Sequence, residues 1–446
     1  MHVTEFGAQL PRIDVPPPGP VSRDLSRRLA LVESRNVTYR GDGFPTFWTE
    51  ARGANVRDAD GNVYLDLTGA FGVALSGHAD PEVRAAVERQ SNRLVHGMGD
   101  IHPPAGKVEL LEMLADLLPW SDTRTVLGSS GSEAVEAALK TAQLSTGRPG
   151  ILAFEGAYHG LTLGALAGTG RRSFREPFSG RVYEGVARVP FPREGVGGPG
   201  ASGVVLEAVE RALREGAPNG DAIGAVLIEP VQARGGVRVL PEAFGRELTA
   251  LAERHEVVLI ADEIFTGLGR CGAVLASTRV GLEPGLVCLG KVLGGGLPLS
   301  ACVGPAEVMD AWPESTGEAL HTSTFLGHPL ACATACAVLE KVRAGLPERA
   351  EALGTRIAGV LSAGFEVRGL GLLIGIDVVD EASRPVAGGA VGVAASALAQ
   401  GLLVLPAGDS GEVVQLSPPV CLTSEQERWG VDALVGLLGA RMARAL

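Results

Sequence analysis

Between about residue 80 and residue 330 the chain alternates two hydrophobic patterns. Stretches such as PEVRAAVERQSNRL and KVELLEMLADLL repeat apolar side chains at the helical period of about 3.6 residues and predict amphipathic helices. Between them stand short runs, ILAFEG, AIGAVLIEPV, EVVLIADEI and PGLVCLG, apolar at nearly every position and flanked by turn residues. Runs without polar alternation predict strands of a parallel sheet buried on both faces. TRTVLGSS reads as a further strand that ends in small residues and leads into the helical GSEAVEAALKTAQL. The expected class is α/β.

Outside this region the pattern changes. The first ~25 residues are Pro-rich and read as extended chain, and FWTEARGANVRDADGNVYLDL reads as a hairpin turning at Asp60-Gly61. PFPREGVGGPGASG, residues 190–203, reads as a loop excursion. After HPLACATACAVLEKVR the motifs thin out, and strands near FEVRGLGLLIGIDVV and GEVVQLSPPV suit a smaller α+β domain. The expected division is an N-terminal arm and small-domain segment (1–75), a large domain (76–334) and a C-terminal small domain (335–446). No internal repeat is present.

The chain has 446 residues, 46% hydrophobic and 20% charged, with a net charge of −12. That length buries a large core without covalent staples. The acidic balance argues against nucleic-acid or anionic-membrane partners, which need clustered cations. No run reaches the roughly 18 apolar residues of a membrane span, and the N-terminus lacks the basic and apolar regions of a secretory signal. A cytoplasmic enzyme is expected. The six cysteines include no CxxC pair. Cys332 and Cys336 share a helix face, but small buried thiols are the ordinary reading of their Ala-rich setting, and no metal site is expected.

In open α/β sheets ligands bind beyond the carboxyl ends of the strands. After TVLG stand Ser129, Ser130, Gly131 and Ser132, opening a helix; such a helix start cradles phosphate, although Ser and Gly also serve as plain caps. After ILAFEGA stand Tyr158, His159 and Gly160, an aromatic that could stack on a planar ring or fill a core. After AVLI comes Glu229, after VVLI come Asp262 and Glu263, and after LVCLG comes Lys291. A buried carboxylate needs a partner, such as a protonated ring nitrogen or an arginine. Lys291 decides the reading. The chain has only four lysines, and Lys291 alone sits at a strand end beside a Gly-rich turn. A lysine in apolar surroundings has a lowered pKa and forms Schiff bases. A phosphate cradle, a stacking aromatic, a carboxylate and this lysine together suit pyridoxal 5′-phosphate (PLP).

Two rivals use the same residues less well. GLVCLGK (285–291) fits the first part of a nucleotide-binding phosphate loop, but Val292 stands where Ser or Thr would hold magnesium. GLGLLIG (369–375) breaks the spacing of a dinucleotide-binding turn.

From about residue 45 to 440 the sequence resembles the class-III aminotransferases, the fold-type-I PLP family of ornithine, acetylornithine and 4-aminobutyrate aminotransferases. The motifs are SSGSEAVEAALKTA, FEGAYHG, IEPVQ, LIADEIFTGLGRCG, CLGKVLGGGLP, HTSTFLGHPLACA and VRGLGLLIGID. The resemblance implies a seven-stranded, mainly parallel sheet sandwiched by helices in the large domain. It implies that Ser130, Gly131 and Ser132 hold the cofactor phosphate and that Tyr158 and Ile264 pack its two faces, with His159 beside them. Asp262 would pair with the ring nitrogen and Lys291 would carry the cofactor covalently. Thr324 would reach the phosphate in a neighbouring subunit, which implies a homodimer or a dimer of dimers. The implied reaction moves an amino group between an amine or amino acid and a carbonyl acceptor by ping-pong kinetics; racemases of the family share the early steps and stay as the alternative.

Three departures stand out. Phe265 replaces the Gln often found after the Asp-Glu pair, and Arg234 replaces an acid in what is often EPVQGEGG. Gln415 stands where many members carry the Arg that grips the substrate carboxylate, and no Arg or Lys lies between Gly401 and Glu425. Glu229 then lacks the counter-charge expected of it. It protonates, pairs with Arg234, or meets a cationic group of the substrate; the last is the favoured expectation, with Glu229 and Gln415 as substrate contacts.

Overall fold

The computed structural model describes residues 5–41, 43–192 and 201–442. They form two compact units. The larger comprises Pro81–Ala352 with Gly369–Gly371, and the smaller is built from the described parts of Met1–Asp80, Leu353–Arg368 and Leu372–Leu446.

The larger unit is organised by seven strands: β1 (Thr123–Gly128), β2 (Gly150–Phe154), β3 (Val186–Val189), β4 (Ile223–Ile228), β5 (Val258–Asp262), β6 (Leu286–Leu289) and β7 (Ser300–Pro305). Their order across the sheet is β1-β7-β6-β5-β4-β2-β3. Only β7 runs against the others, pairing antiparallel with both β6 and β1. The unbroken apolar runs follow from burial on both sides. Ile151, Ala153, Ala225, Leu227, Val258 and Ile260 face one core with Ala134, Val135 and Ala138 of helix α1 (Gly131–Thr146). Their alternates Leu152, Phe154, Val226, Ile228 and Leu259 face the other, against Val209, Leu213, Phe244 and Leu248 from two further helices. A two-residue side-chain period with apolar residues in both phases produces this double-sided packing. Of the loop expected at 190–203, residues 193–200 lie outside the described residues, and a helix, Ala201–Glu215, occupies its end.

In the smaller unit the expected hairpin extends into a three-stranded meander of Trp48–Arg52, Asn55–Asp58 and Val63–Asp66. The N-terminal segment departs from expectation: a helix, Pro20–Val32, runs where the Pro-rich composition suggests extended chain. Its first turn is capped from a distance, by Asp60 accepting from Val21 N at 2.7 Å and Ser22 N at 2.9 Å. A cap supplied by the meander turn leaves no local cap signal before the helix, only the Pro at its start. Gln415 lies in this unit, on strand Val413–Leu416 paired antiparallel with Leu373–Asp377. It is 1% exposed, and its Nε2 has no hydrogen-bond partner among the described residues.

Candidate active site

Ser130, Tyr158, Glu229, Asp262 and Lys291 stand at or just beyond the carboxyl ends of β1, β2, β4, β5 and β6. Parallel strands put all five at one end of the sheet. Side-chain parity fixes Asp262: it continues the phase of Val258 and Ile260, toward the face that carries α1.

The start of α1 is built as a capped, open turn. Ser130 is its N-cap, with Oγ accepting from Glu133 N at 3.3 Å, while Glu133 Oε2 accepts from Ser129 N at 2.6 Å. This Ser-x-x-Glu arrangement satisfies one donor of the first turn and one of the residue before the cap, and fixes the direction of the turn. Ser132 Oγ accepts from Leu161 N at 3.3 Å, which ties the turn to the loop bearing Tyr158. A Cβ on Gly160 (φ +121°) would lie 2.1 Å from Ser132 Oγ, so only glycine permits that approach. Gly131 is similarly confined: its Cβ would come within 2.9 Å of Ile264 Cδ1.

Asp262 is 5% exposed and held on both oxygens. Ile264 N donates to Oδ1 at 3.1 Å, and His159 Nδ1 lies 2.8 Å from Oδ2. His159, buried, is fixed in turn through its backbone N, which donates to Thr169 Oγ1 at 3.0 Å. The sequence places His159 beside the cofactor; the structure sets its ring against Asp262, where it orients the carboxylate. Its Nε2 is buried without a hydrogen-bond partner among the described residues.

Lys291 opens a short 3₁₀ turn, Lys291–Gly294, with φ +44°. A non-glycine residue held there stores backbone strain of about 1–3 kcal/mol, which collects at functional sites. Its Nζ lies 4.5 Å from the Phe265 ring centroid. Burial lowers its pKa to about 8, against the opposing pull of the Asp262 and Glu229 charges, and the Arg234 charge lowers it further. Glu229 is 5% exposed, and its Oε1 accepts from Tyr158 N at 2.9 Å. Burial raises its pKa to about 7; His159 and Lys291 oppose that rise and Asp262 adds to it. Glu229 makes no ion pair among the described residues, so the pairing with Arg234 considered from the sequence is not formed. Arg234 instead places its guanidinium carbon 5.9 Å from the Tyr158 ring centroid.

Thr324 is exposed and makes no hydrogen bond to this group among the described residues. Its neighbours Leu320 and Phe325 are also exposed, as are Leu94, Val95, Met98 and Ile101. Thr322 Oγ1 donates to Asp100 Oδ2 at 3.0 Å and His96 lies 5.3 Å from Phe325, so these residues form one apolar patch.

Residues 37–438 match the sequence model of aminotransferase class-III. The chain belongs to this family. It is 38% identical to the acetylornithine aminotransferase of Methanopyrus kandleri over 76% of this chain and 82% of that one. It is 36% identical to the 5-aminovalerate aminotransferase of Pseudomonas putida over 90% of this chain and 94% of that one. Its fold superposes with a TM-score of 0.82 on a PLP-bound amine transaminase from an uncultivated Pseudomonas species, 29% identical, covering 93% of this chain and 98% of that chain. This class-III aminotransferase is PLP-dependent and has the fold-type-I architecture expected. Nothing in these relatives favours the racemase alternative.

The residues present fit the cofactor. A capped helix start with two close-packed glycines suits a phosphate, Tyr158 offers a ring face, Asp262 offers a fixed charge at a strand end, and Lys291 offers an amine of lowered basicity. Sequence reasoning missed two features: the dependence of Asp262 on His159, and the placement of Phe265 under Lys291. Neither has a local signal, because each joins residues from different strand ends.

Proposed function

We propose that these strand-end groups are the catalytic centre of an aminotransferase acting on an aliphatic primary amine that also carries a carboxylate. The single observation carrying this reading is the half-buried Lys291 at the end of the sheet, its amine against the Phe265 ring, its basicity lowered by burial and its charge favoured by the Asp262 and Glu229 carboxylates. Relatives named for acetylornithine, 5-aminovalerate and 4-aminobutyrate support the substrate class.

Ser130, Gly131 and Ser132 would hold the cofactor phosphate at the start of α1, and Tyr158 and Ile264 would enclose the ring. Asp262, oriented by His159, would hold the proton on the ring nitrogen. When bound, PLP supplies an electron-poor ring that accepts the electron pair left as the substrate Cα–H bond breaks. Lys291 Nζ takes that proton and returns it at the neighbouring carbon; a pKa near 8 leaves a substantial neutral fraction at physiological pH. Phe265 beneath the amine offers no hydrogen bond that would fix Nζ in one position. Glu229 is proposed to stand near the amino end of the substrate, and Gln415 keeps its proposed substrate role on the sequence argument alone.

The active unit is proposed to be a homodimer, or a dimer of dimers, with Thr324 completing the phosphate site of a neighbouring subunit. The exposed apolar patch beside Thr324 supports this, since such patches mark interfaces. A cytoplasmic setting is proposed from cysteines that form no disulfide among the described residues and the absence, among the described helices, of one long and apolar enough to cross a membrane. A half-reaction screen of amines and amino acids, monitored by the absorbance change as the cofactor takes up the amino group, tests the reading. Conversion by ω-amino acids supports it. Exchange of the Cα proton without that change overturns it. Mixing Lys291→Ala with Thr324→Val chains tests the shared site: mixed dimers should recover activity at the site holding both native residues.

A further inference from the structure

Arg234 occupies the tip of a tight, buried hairpin. Val231 pairs with Val239 and Gln232 with Arg238, and Val237 N closes the turn on Ala233 O at 3.2 Å. Val231, Ala233 and Val237 are fully buried, so the tip is fixed from below. Two hydrogen bonds tie it to its surroundings: Gln232 Nε2 donates to Glu155 O at 2.9 Å, and an Arg171 Nη donates to Arg234 O at 2.9 Å. The first anchors the hairpin to the loop that presents Tyr158, over whose ring the Arg234 guanidinium stands.

This cation is half-buried and has no carboxylate within ion-pairing distance among the described residues. Glu229, five residues earlier, is turned to Tyr158 N instead. A second cation, Arg171, opposes its charge, and burial opposes it more. Arginine cannot relieve this by losing its proton. A rigid, partly desolvated guanidinium beside a like charge is stabilised by an incoming anion, and its planar fork matches a carboxylate on two hydrogen bonds. The charge of Arg234 is also felt at Lys291, so the anion it attracts lies in the neighbourhood of the reacting amine.

We infer that Arg234 is the specificity-determining residue that binds the substrate carboxylate, a task the sequence leaves vacant by placing Gln at position 415. The inference rests on the proposed amino-acid substrate class. The clamp missing at position 415 is thereby carried by the hairpin tip, where Arg234 replaces an acid.

The test compares holoenzyme with Arg234→Gln on a matched pair, 5-aminovalerate and 1-aminopentane, which differ only in the carboxylate. Arg234→Gln should lower kcat/KM for 5-aminovalerate by roughly 10–100-fold more than for 1-aminopentane, the worth of a charged hydrogen-bonded contact. Arg234→Lys should recover part of the loss. Calorimetric binding of unreactive valerate should weaken by a similar factor. Equal losses on both amines would show that Arg234 only supports Tyr158 and would overturn the inference, as would unchanged kinetics on both. Weaker cofactor retention with unaltered valerate binding would assign Arg234 to the cofactor phosphate and overturn it too. If wild type converts neither amine, the substrate reading fails, and valerate binding still decides the role of Arg234: an unchanged dissociation constant, or no binding to wild type, overturns it.

Discussion

Two buried carboxylates stand at the ends of the central strands in opposite circumstances. Glu263, 1% exposed, is saturated with donors: Thr266 Oγ1, Ser277 N at 2.6 Å and Ser277 Oγ at 2.6 Å all point at it. Glu229, about as buried, accepts a single hydrogen bond and otherwise faces other charged groups. Burial raises the pKa of both. The difference lies in who answers the desolvation. Around Glu263 the protein supplies its own donors, so the residue joins β5 to the segment at Ser277 and needs no ligand. Around Glu229, Asp262 and Lys291 the charges are brought together incompletely satisfied, the condition of a site that awaits a partner.

The largest break in this comparison is Lys291→Ala. Turnover should fall on the order of 10⁴-fold or more, since both the covalent anchor and the proton carrier go. Folding should survive, because alanine keeps the Cβ and so the same strain at φ +44°, while the cost of desolvating the amine is removed. Borohydride reduction of wild type and subsequent peptide mapping should label Lys291; a label on Lys140 or Lys107 would discard the assignment. Asp262→Asn comes next, with an expected loss of about 10²–10³ in kcat, comparable to removing one preorganised electrostatic contact at a reacting centre. Near-normal turnover would make Asp262 a structural residue like Glu263.

Glu263→Gln sharpens the contrast from the other side. An amide presents one NH₂ where the native residue accepts only, so it turns a donor toward Ser277 or Thr266 and strands their groups. Unfolding free energy should drop by about 2–4 kcal/mol, with kcat per folded molecule little changed. Chemical denaturation and active-site titration together check both halves. A catalytic loss without a stability loss would place Glu263 in the site.

Much of this contrast is legible in the chain and part is not. Lys291, Asp262 and the serine–glycine turn can be read because each stands at the end of its own apolar run, and a parallel sheet gathers the ends of such runs on one edge. Satisfaction cannot be read. Asp262 and Glu263 are adjacent in sequence, and only their partners, His159 from one loop and Ser277 from another, tell the catalytic candidate from the structural one. The same limit hides the N-terminal helix, whose cap comes from Asp60, and the isolation of Arg234, which depends on Glu229 turning to a backbone N–H. Long-range pairings leave no periodicity behind.

The smallest and most discriminating effect belongs to Glu229→Gln, measured on cofactor-free protein, where Lys291 is unmodified. The Glu229 carboxyl holds its proton up to about pH 7 in the native state, against an ordinary value of 4.5. Between those limits the native protein binds more protons than the unfolded chain, so wild-type stability falls as pH rises through that window. Gln keeps a carbonyl oxygen for Tyr158 N and turns its NH₂ toward the oxygen position that accepts nothing in the native site. The variant should therefore escape the fall: its melting temperature should gain on wild type between pH 5 and pH 8, opposite to Glu263→Gln, which loses at every pH. Lys291 adds a second readout. The Glu229 charge favours protonated Lys291, so its removal should let the amine lose its proton below the present value of about 8. The rate at which Lys291 captures added PLP, which needs the neutral amine, should then rise at lower pH in the variant than in wild type. A rising limb left where it was, with no gain in stability at pH 8, would mean that Glu229 is as fully answered by the protein as Glu263.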